Sequence, residues 1–215
     1  MKLMIIGATG MAGSAVTTAA LKRGHTVLAI GRSAEKLAQL PAHPNLTTQA
    51  VDAFNLTSAD LQAVDVVVDA MASRPDQAYL HVDLATKLVA ALRNQDHPRL
   101  VFILGAGSLT TGEDEHLFVK DIERDPANAA FVAIPQNQLA ELIFLRTVKN
   151  VDWVGISPAA DFHAGAAAPA LLGHDQLLVN ASGASVTTSG TMAEAVLDEI
   201  EQPQHHQTRF TVANQ

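Results

Sequence analysis

Three glycines stand near the start of the chain in the run Gly7-Ala-Thr-Gly10-Met-Ala-Gly13. They follow the apolar stretch Met1 to Ile6. They precede a segment in which Ala12, Val16, Ala19 and Ala20 fall on one helical face. A strand, a glycine turn and a helix in that order form what a dinucleotide pyrophosphate requires. The first glycine permits a tight turn. The second removes a Cβ that would stand against the phosphates, and the third lets the helix sit close on the strand. The helix N-terminus then offers free N–H groups and a positive dipole end to an anion. The spacing is G-x-x-G-x-x-G, not the better-known G-x-G-x-x-G. Candidate cofactor contacts are therefore Gly7, Ala8, Thr9, Gly10, Met11 and Gly13.

The end of the second strand discriminates between the two nicotinamide cofactors. A carboxylate there would hydrogen-bond a ribose 2′-OH. This chain has Ala29-Ile30-Gly31-Arg32-Ser33 instead. Arg32 supplies a planar fork for a 2′-phosphate, and Ser33 adds a hydroxyl at a helix start. NADPH is the expected cofactor, with NADH as the alternative. Asp52, in Val51-Asp52-Ala53, has the right chemistry either to accept a hydrogen bond from adenine or to cap a turn. Ala70, Met71 and Ala72 are small or flexible residues past the fourth strand, suited to passing under a cofactor. Ser108 and Gln138 are the candidates for contact with a substrate or the nicotinamide ribose. A loop serine and a polar first helical turn are the plainer readings.

Other chemistries lack their residues. There is no cysteine, so disulfide, thiolate and Cys-based zinc chemistry are excluded. His116 lies among Glu113, Asp114 and Glu115 without a recognisable metal-ligand spacing, and no metal is expected. His163 and His174 have the chemistry of proton donors near neutral pH, although surface positions explain them as well. His205 and His206 read as an exposed turn. Neither a Gly-x-Ser-x-Gly elbow nor a phosphate loop ending in Gly-Lys-Ser/Thr is present.

The elements that must hold these residues alternate regularly. Strands are expected at Thr26 to Ile30, Leu46 to Val51, Val64 to Ala70, Leu100 to Leu104, Val151 to Ile156 and Thr208 to Val212. Helices are expected from Ser33 to Leu40, Asp76 to Arg93, Gln136 to Lys149 and Thr191 to Glu201. Leu139, Leu142 and Ile143 are expected to face inward, with a short helix around His116. A small hairpin is expected from Leu177 to Val179 and Ser185 to Thr188. Such βαβ repetition predicts one doubly wound, parallel-sheet α/β domain of Rossmann type over residues 1–215. The irregular segment near 158–190 is expected to form a small substrate cap. Hydrophobic residues are 48% and aromatic residues only 4% of the chain, a composition suited to helices layered on a parallel sheet. The net charge of −8 and the absence of a basic stripe argue against nucleic acid. No apolar run approaches a membrane span, and no signal-peptide pattern is visible. A cytoplasmic monomer or homodimer acting on a small molecule is the expectation.

These pieces resemble the atypical branch of the short-chain dehydrogenase/reductase superfamily, and most closely its NAD(P)H-binding members of the NADH-flavin reductase type. The likeness rests on Gly7 to Gly13, Gly31-Arg32, Val51-Asp52, Arg99-Leu100, Ile156-Ser157-Pro158-Ala159 and Ala195 to Glu201. It implies cofactor contacts at Gly7, Thr9, Gly10 and Met11, with Arg32 and Ser33 at the 2′-phosphate. It also places Ala70 to Ala72 under the cofactor, and Ser157 and Pro158 near the nicotinamide carboxamide. Much of that superfamily uses a Tyr-x-x-x-Lys pair. Here Ile134 and Gln138 fall at that register, and the only tyrosine is Tyr79. The resemblance thus implies hydride transfer to FMN, FAD or a similar planar acceptor. A non-catalytic redox sensor and an epimerase or dehydratase are the alternatives.

Overall fold

The computed structural model describes all 215 residues. An eight-stranded sheet runs through its middle. In chain order the strands are β1 (Lys2–Ile6), β2 (Thr26–Gly31), β3 (Leu46–Ala50), β4 (Val66–Asp69), β5 (Arg99–Ile103), β6 (Thr110–Thr111), β7 (His116–Leu117), β8 (Trp153–Pro158), β9 (Asp161–His163), β10 (Ala170–Gly173), β11 (Val186–Thr188) and β12 (Thr208–Asn214). The helices are α1 (Met11–Lys22), α2 (Ala34–Leu37), α3 (Ser58–Gln62), α4 (Leu80–Leu92), α5 (Val119–Arg124), α6 (Ala133–Thr147) and α7 (Ser189–Glu201).

The sheet order is β10-β12-β8-β5-β4-β1-β2-β3. The chain runs outward from β1 to β3, returns to the other side of β1 as β4, and continues outward through β5 and β8. The order therefore reverses between β1 and β4, the place where open α/β sheets bind ligands. Every pair in the sheet is parallel except β10 with β12. Ile6 is level with both Ile30 of β2 and Asp69 of β4, so the loops after these three strands leave the sheet side by side.

Alternation along the strands builds two cores. Leu3 and Ile5, with Val66 and Val68, pack under α1 and α7. Met4 and Ile6, with Val67, Leu100 and Phe102, pack under α4 and α6. A strand covered on both faces must be apolar at every position, which is why Val66-Val67-Val68 reads as an unbroken run. On α4 the expected face is buried: Ala85, Leu88, Val89 and Leu92.

Several boundaries differ from expectation. The helical stretch begun at Asp76 is a 3-10 turn before α4 starts at Leu80. His116 lies in β7 and not in a helix, and α5 follows it. Val186–Thr188 pairs in parallel with Asp161–His163, so it is not half of a hairpin with Leu177 to Val179. The interrupted polarity of 158–190 hid these short pairings. Ile143 is 56% exposed, whereas Glu141, two residues earlier, is buried. Side-chain polarity alone puts that pair the wrong way round.

Arg99 and Glu199 lie far apart in sequence but form one buried ion pair, with Arg99 Nη2 donating to Glu199 Oε1 at 2.7 Å. The same carboxylate meets His205 at 2.7 Å, and His205 stacks on Phe210. His205 is thus a structural partner and not part of an exposed turn. This network ties α7 to the start of β5 and the turn before β12. Removing Glu199 leaves buried Arg99 with only the half-buried Asp152, 3.3 Å from its Nε, as counter-charge. Glu199→Ala is expected to destabilise the fold by about 3–5 kcal/mol in urea unfolding, and a loss under 1 kcal/mol would contradict the pairing.

Candidate functional site

The loop between β1 and α1 is defined by two close backbone approaches. Gly7 adopts φ +75°, and a Cβ there would lie 2.5 Å from the Ala70 carbonyl oxygen. A Cβ on Gly13 would lie 2.2 Å from the Gly7 carbonyl oxygen. Only glycine satisfies both positions. They seat the start of α1 on the loop and the loop on the end of β4. Gly10 differs, because a Cβ there would meet only the Gly7 carbonyl, at 3.3 Å. That position borders an open cleft.

Gly10 precedes the first turn of α1, and no side chain caps that turn. The first N–H groups of a helix have no partner within the helix. Here they are left for a ligand, beside a loop with no Cβ to obstruct it. This is the arrangement expected of a pyrophosphate site. Gly10, Met11 and Ala12 border the cleft. Ala8 and Gly13 are buried beneath it and shape the loop without facing the opening.

The cleft has two arms that share Gly10 and Ala70 to Ser73. One arm, about 740 Å³, runs over the ends of β1 to β3. Of the sequence candidates, Gly7, Thr9, Arg32, Asp52 and Ala53 border it, together with Gly31, Lys36 and Arg74. Arg74 pairs with Asp76 at 3.1 Å, while Arg32 and Lys36 stand exposed. Asp52 lines the arm but accepts the Phe54 N–H at 2.9 Å, so its carboxylate caps a turn. Ser33 caps α2, accepting the Lys36 N–H at 3.2 Å, and its side chain is outside the lining.

The second arm, about 400 Å³, is apolar. Ile103, Leu104, Phe118, Ile122, Phe131, Ile134 and Phe162 wall it. Pro158 and Gln138, two of the sequence candidates, also border it. Gln138 Oε1 occupies the space beside Gly105, where a Cβ would come within 2.1 Å. Of the segment expected to form a cap, only Pro158, Ala159, Ala160 and Phe162 reach the cleft.

Two sequence candidates are engaged elsewhere. Ser157 is fully buried, and its Oγ accepts from Arg209 Nη1 at 3.0 Å. Ser108 Oγ accepts from the same nitrogen at 3.2 Å and donates to the Gly105 carbonyl. Arg209 is held in turn by Asp175. Both serines therefore solvate a buried guanidinium and do not reach the cleft. Local sequence did not reveal this, because Arg209 lies 52 residues beyond Ser157 and 101 beyond Ser108. His163 is exposed beside Asp161, and Tyr79 is likewise at the surface. Neither lines the cleft. Asn137 donates to the Ala133 carbonyl at 2.8 Å.

Sequence reasoning missed a buried polar cluster under the apolar arm. His81 of α4 lines the arm and is 4% exposed. Its Nδ1 lies 3.9 Å from Oε2 of Glu141 on α6, too far for a hydrogen bond. His81 Nε2, Glu141 Oε2 and Ser73 Oγ are buried without any hydrogen-bond partner. Asp69 ends β4 nearby and accepts the Met71 N–H at 2.9 Å. Burial pushes the Asp69 carboxyl up to about 6. It pushes Glu141 up further from its ordinary range, with the Asp69 charge adding to the effect. Burial pushes His81 down to about 4. Burial thus works against the charged form of each of the three side chains.

A carboxyl whose folded pKa is raised stabilises the fold at low pH, and the contribution is lost as pH rises towards the folded pKa. His81 has the opposite sense: its lowered pKa costs stability below the ordinary histidine range. Comparing Glu141→Gln with the parent cancels the Asp69 and His81 contributions to first order. The stability difference should move in favour of Gln as pH rises from 5 to 7, by up to about 1.4 kcal/mol per pH unit. A difference independent of pH in urea unfolding would contradict a neutral, buried Glu141.

Residues 7–203 match the NAD(P)H-binding family. The uncharacterized protein YwnB of Bacillus subtilis is 36% identical, with 100% of this chain and 99% of that protein covered. A solved Lactobacillus casei protein is 40% identical over 100% of this chain and 99% of its own, with a TM-score of 0.92. A Streptococcus pneumoniae structure described as a putative NADH-flavin reductase is 30% identical over the whole of both chains, with a TM-score of 0.88. With the match spanning nearly the full length, and with the glycine loop and open helix end in place, the chain belongs to the NAD(P)H-binding family of Rossmann-fold proteins.

Proposed function

We propose that this protein is an NADPH-dependent oxidoreductase that passes hydride from the nicotinamide to a planar acceptor such as a flavin ring. The observation that carries the reading is the two-armed cleft around Gly10. One arm presents cations beyond the end of β2, and the other is apolar and opens from the same helix N-terminus. The similarity to a protein described as a putative NADH-flavin reductase supports the acceptor class.

The bound cofactor supplies the hydride chemistry. The chain's own residues bind and orient. The Gly7–Gly13 loop and the first turn of α1 hold the pyrophosphate. Arg32 and Lys36 meet the 2′-phosphate, Arg32 through its planar fork and Lys36 as a point charge. No carboxylate stands at Gly31 or Arg32 to repel it. Ala70, Met71 and Ala72 leave room for backbone to pass under the ribose. The apolar walls exclude water from the reacting faces and align two flat rings. Ile134 and Gln138, at the register of the familiar Tyr and Lys, both border this arm. Stacking and orientation therefore take the place of that acid/base pair in the hydride step.

Two measurements test this reading. In titration calorimetry, Arg32→Glu should weaken NADPH by about tenfold to a hundredfold, the worth of a charged hydrogen bond, while NADH binding changes little. Equal effects on both cofactors would refute the phosphate assignment. The parent protein should oxidise NADPH with riboflavin or FMN well above the free-solution rate. Tight binding without turnover on any acceptor would replace the reductase reading with a cofactor sensor.

A further inference from the structure

We propose, resting on the NADPH reading above, that Arg74 is a third phosphate-binding residue of the larger arm and that Asp76 is its built-in competitor. Cofactor binding exchanges the Asp76 carboxylate for a cofactor phosphate on the same guanidinium. The sheet order puts the cations of this arm on two sides of the glycine loop. β2 and β4 flank β1, and Ile30 and Asp69 stand level with Ile6 at their ends. Arg32 and Lys36 border the arm from the β2 side, and Arg74 borders it from the β4 side. A dinucleotide lying over the loop therefore has positive charge on both flanks.

The three cations differ in their starting state. Arg32 and Lys36 stand exposed. Arg74 alone of the three is held by a carboxylate, with Nη2 donating to Asp76 Oδ2 at 3.1 Å. Both partners lie largely in water, the side chains being 72% and 66% exposed. Ion pairs so exposed contribute little. A hydrogen bond from arginine to phosphate is charge-assisted, and the planar fork can make two of them at once. Phosphate therefore wins the guanidinium when the cofactor is present. Asp76 does not border the arm, so its carboxylate stays in solvent when Arg74 turns away.

The local backbone permits this exchange without rebuilding the loop. Arg74 has φ −80° and ψ 157° and is followed by Pro75, which opens a 3-10 turn. Extended backbone is what proline imposes on the residue before it. The Gln77 N–H closes the turn on the Arg74 carbonyl at 2.9 Å. The backbone on both sides of the pair is thus held, and the long side chain alone has to swing.

Titration calorimetry of NADPH and NADH with the parent, Arg74→Ala, Asp76→Asn and the double variant tests the exchange. Both side chains stand in solvent, so none of these variants alters the core. Arg74→Ala should weaken NADPH binding about tenfold. Asp76→Asn should tighten it by about twofold to fivefold, the worth of the exposed pair it removes. In the double variant that tightening should disappear, because Asp76 acts through Arg74. A loss in Arg74→Ala confined to NADPH assigns the contact to the 2′-phosphate, and an equal loss for NADH assigns it to the diphosphate; both support the exchange. NADPH affinity within about twofold of the parent in Arg74→Ala overturns the proposal and leaves a surface ion pair only. Tightening by Asp76→Asn that persists without Arg74, or no tightening at all, overturns the competitor role. A parent that binds neither cofactor removes the NADPH reading as well, whereas a parent that binds NADPH alongside an unaffected Arg74→Ala removes this proposal alone.

Discussion

The site depends on the contact between two backbones at the point where the sheet order reverses. The turn at Gly7 rests against the Ala70 carbonyl, with room for no Cβ, and Gly13 rests against Gly7 in the same way. Through these contacts β1, β4 and α1 share one rigid corner. The direction of α1, the open space over its first turn, and the shared throat of the two arms all follow from it. Side chains elsewhere can vary in size and be accommodated by repacking. This corner is backbone against backbone, and a displaced carbonyl would move the ligand position directly.

Around that corner the cleft divides by charge. Over β2 and β3 the exposed side chains are cationic, and Asp52, the carboxylate in reach, is engaged in capping its own turn. Over β4, β5 and β8 the wall is apolar and closes on a buried His-Glu-Asp cluster. A cofactor with an anionic end and a flat reactive end fits this division. The chain's net charge of −8 makes a local group of exposed cations more informative, because it stands against the general field.

The fold was legible because its signals are local and redundant. Unbroken apolar runs, helical spacing and glycine punctuation agree for β1 to β5, β8 and β12. The glycine loop was legible for the same reason, since its three glycines are contiguous with the strand and helix they serve. Less could be read where meaning depends on a distant partner. Ser108 and Ser157 stand at strand ends, yet they solvate Arg209. Arg99 and the Glu199 helix belong to the residues that carry the family resemblance, and they prove to be two halves of one buried pair. Glu141 and Ile143 show the limit most plainly: a charged residue faces the core and an aliphatic one faces water. Only the juxtaposition of α4, α6 and the end of β4 gives Glu141 its reason. Lys36 had a weak signal, one turn beyond Arg32 on α2, and could have been found by asking what else that short helix presents.

The central claim is that amides in the first turn of α1 bind the cofactor's pyrophosphate. Residue-resolved amide hydrogen exchange, with and without saturating NADPH, tests it most directly. The account predicts that protection rises at Met11, Ala12 and Gly13 when NADPH is added. NADPH binding that leaves those three amides exchanging at their free rate, with protection gained elsewhere, would contradict it.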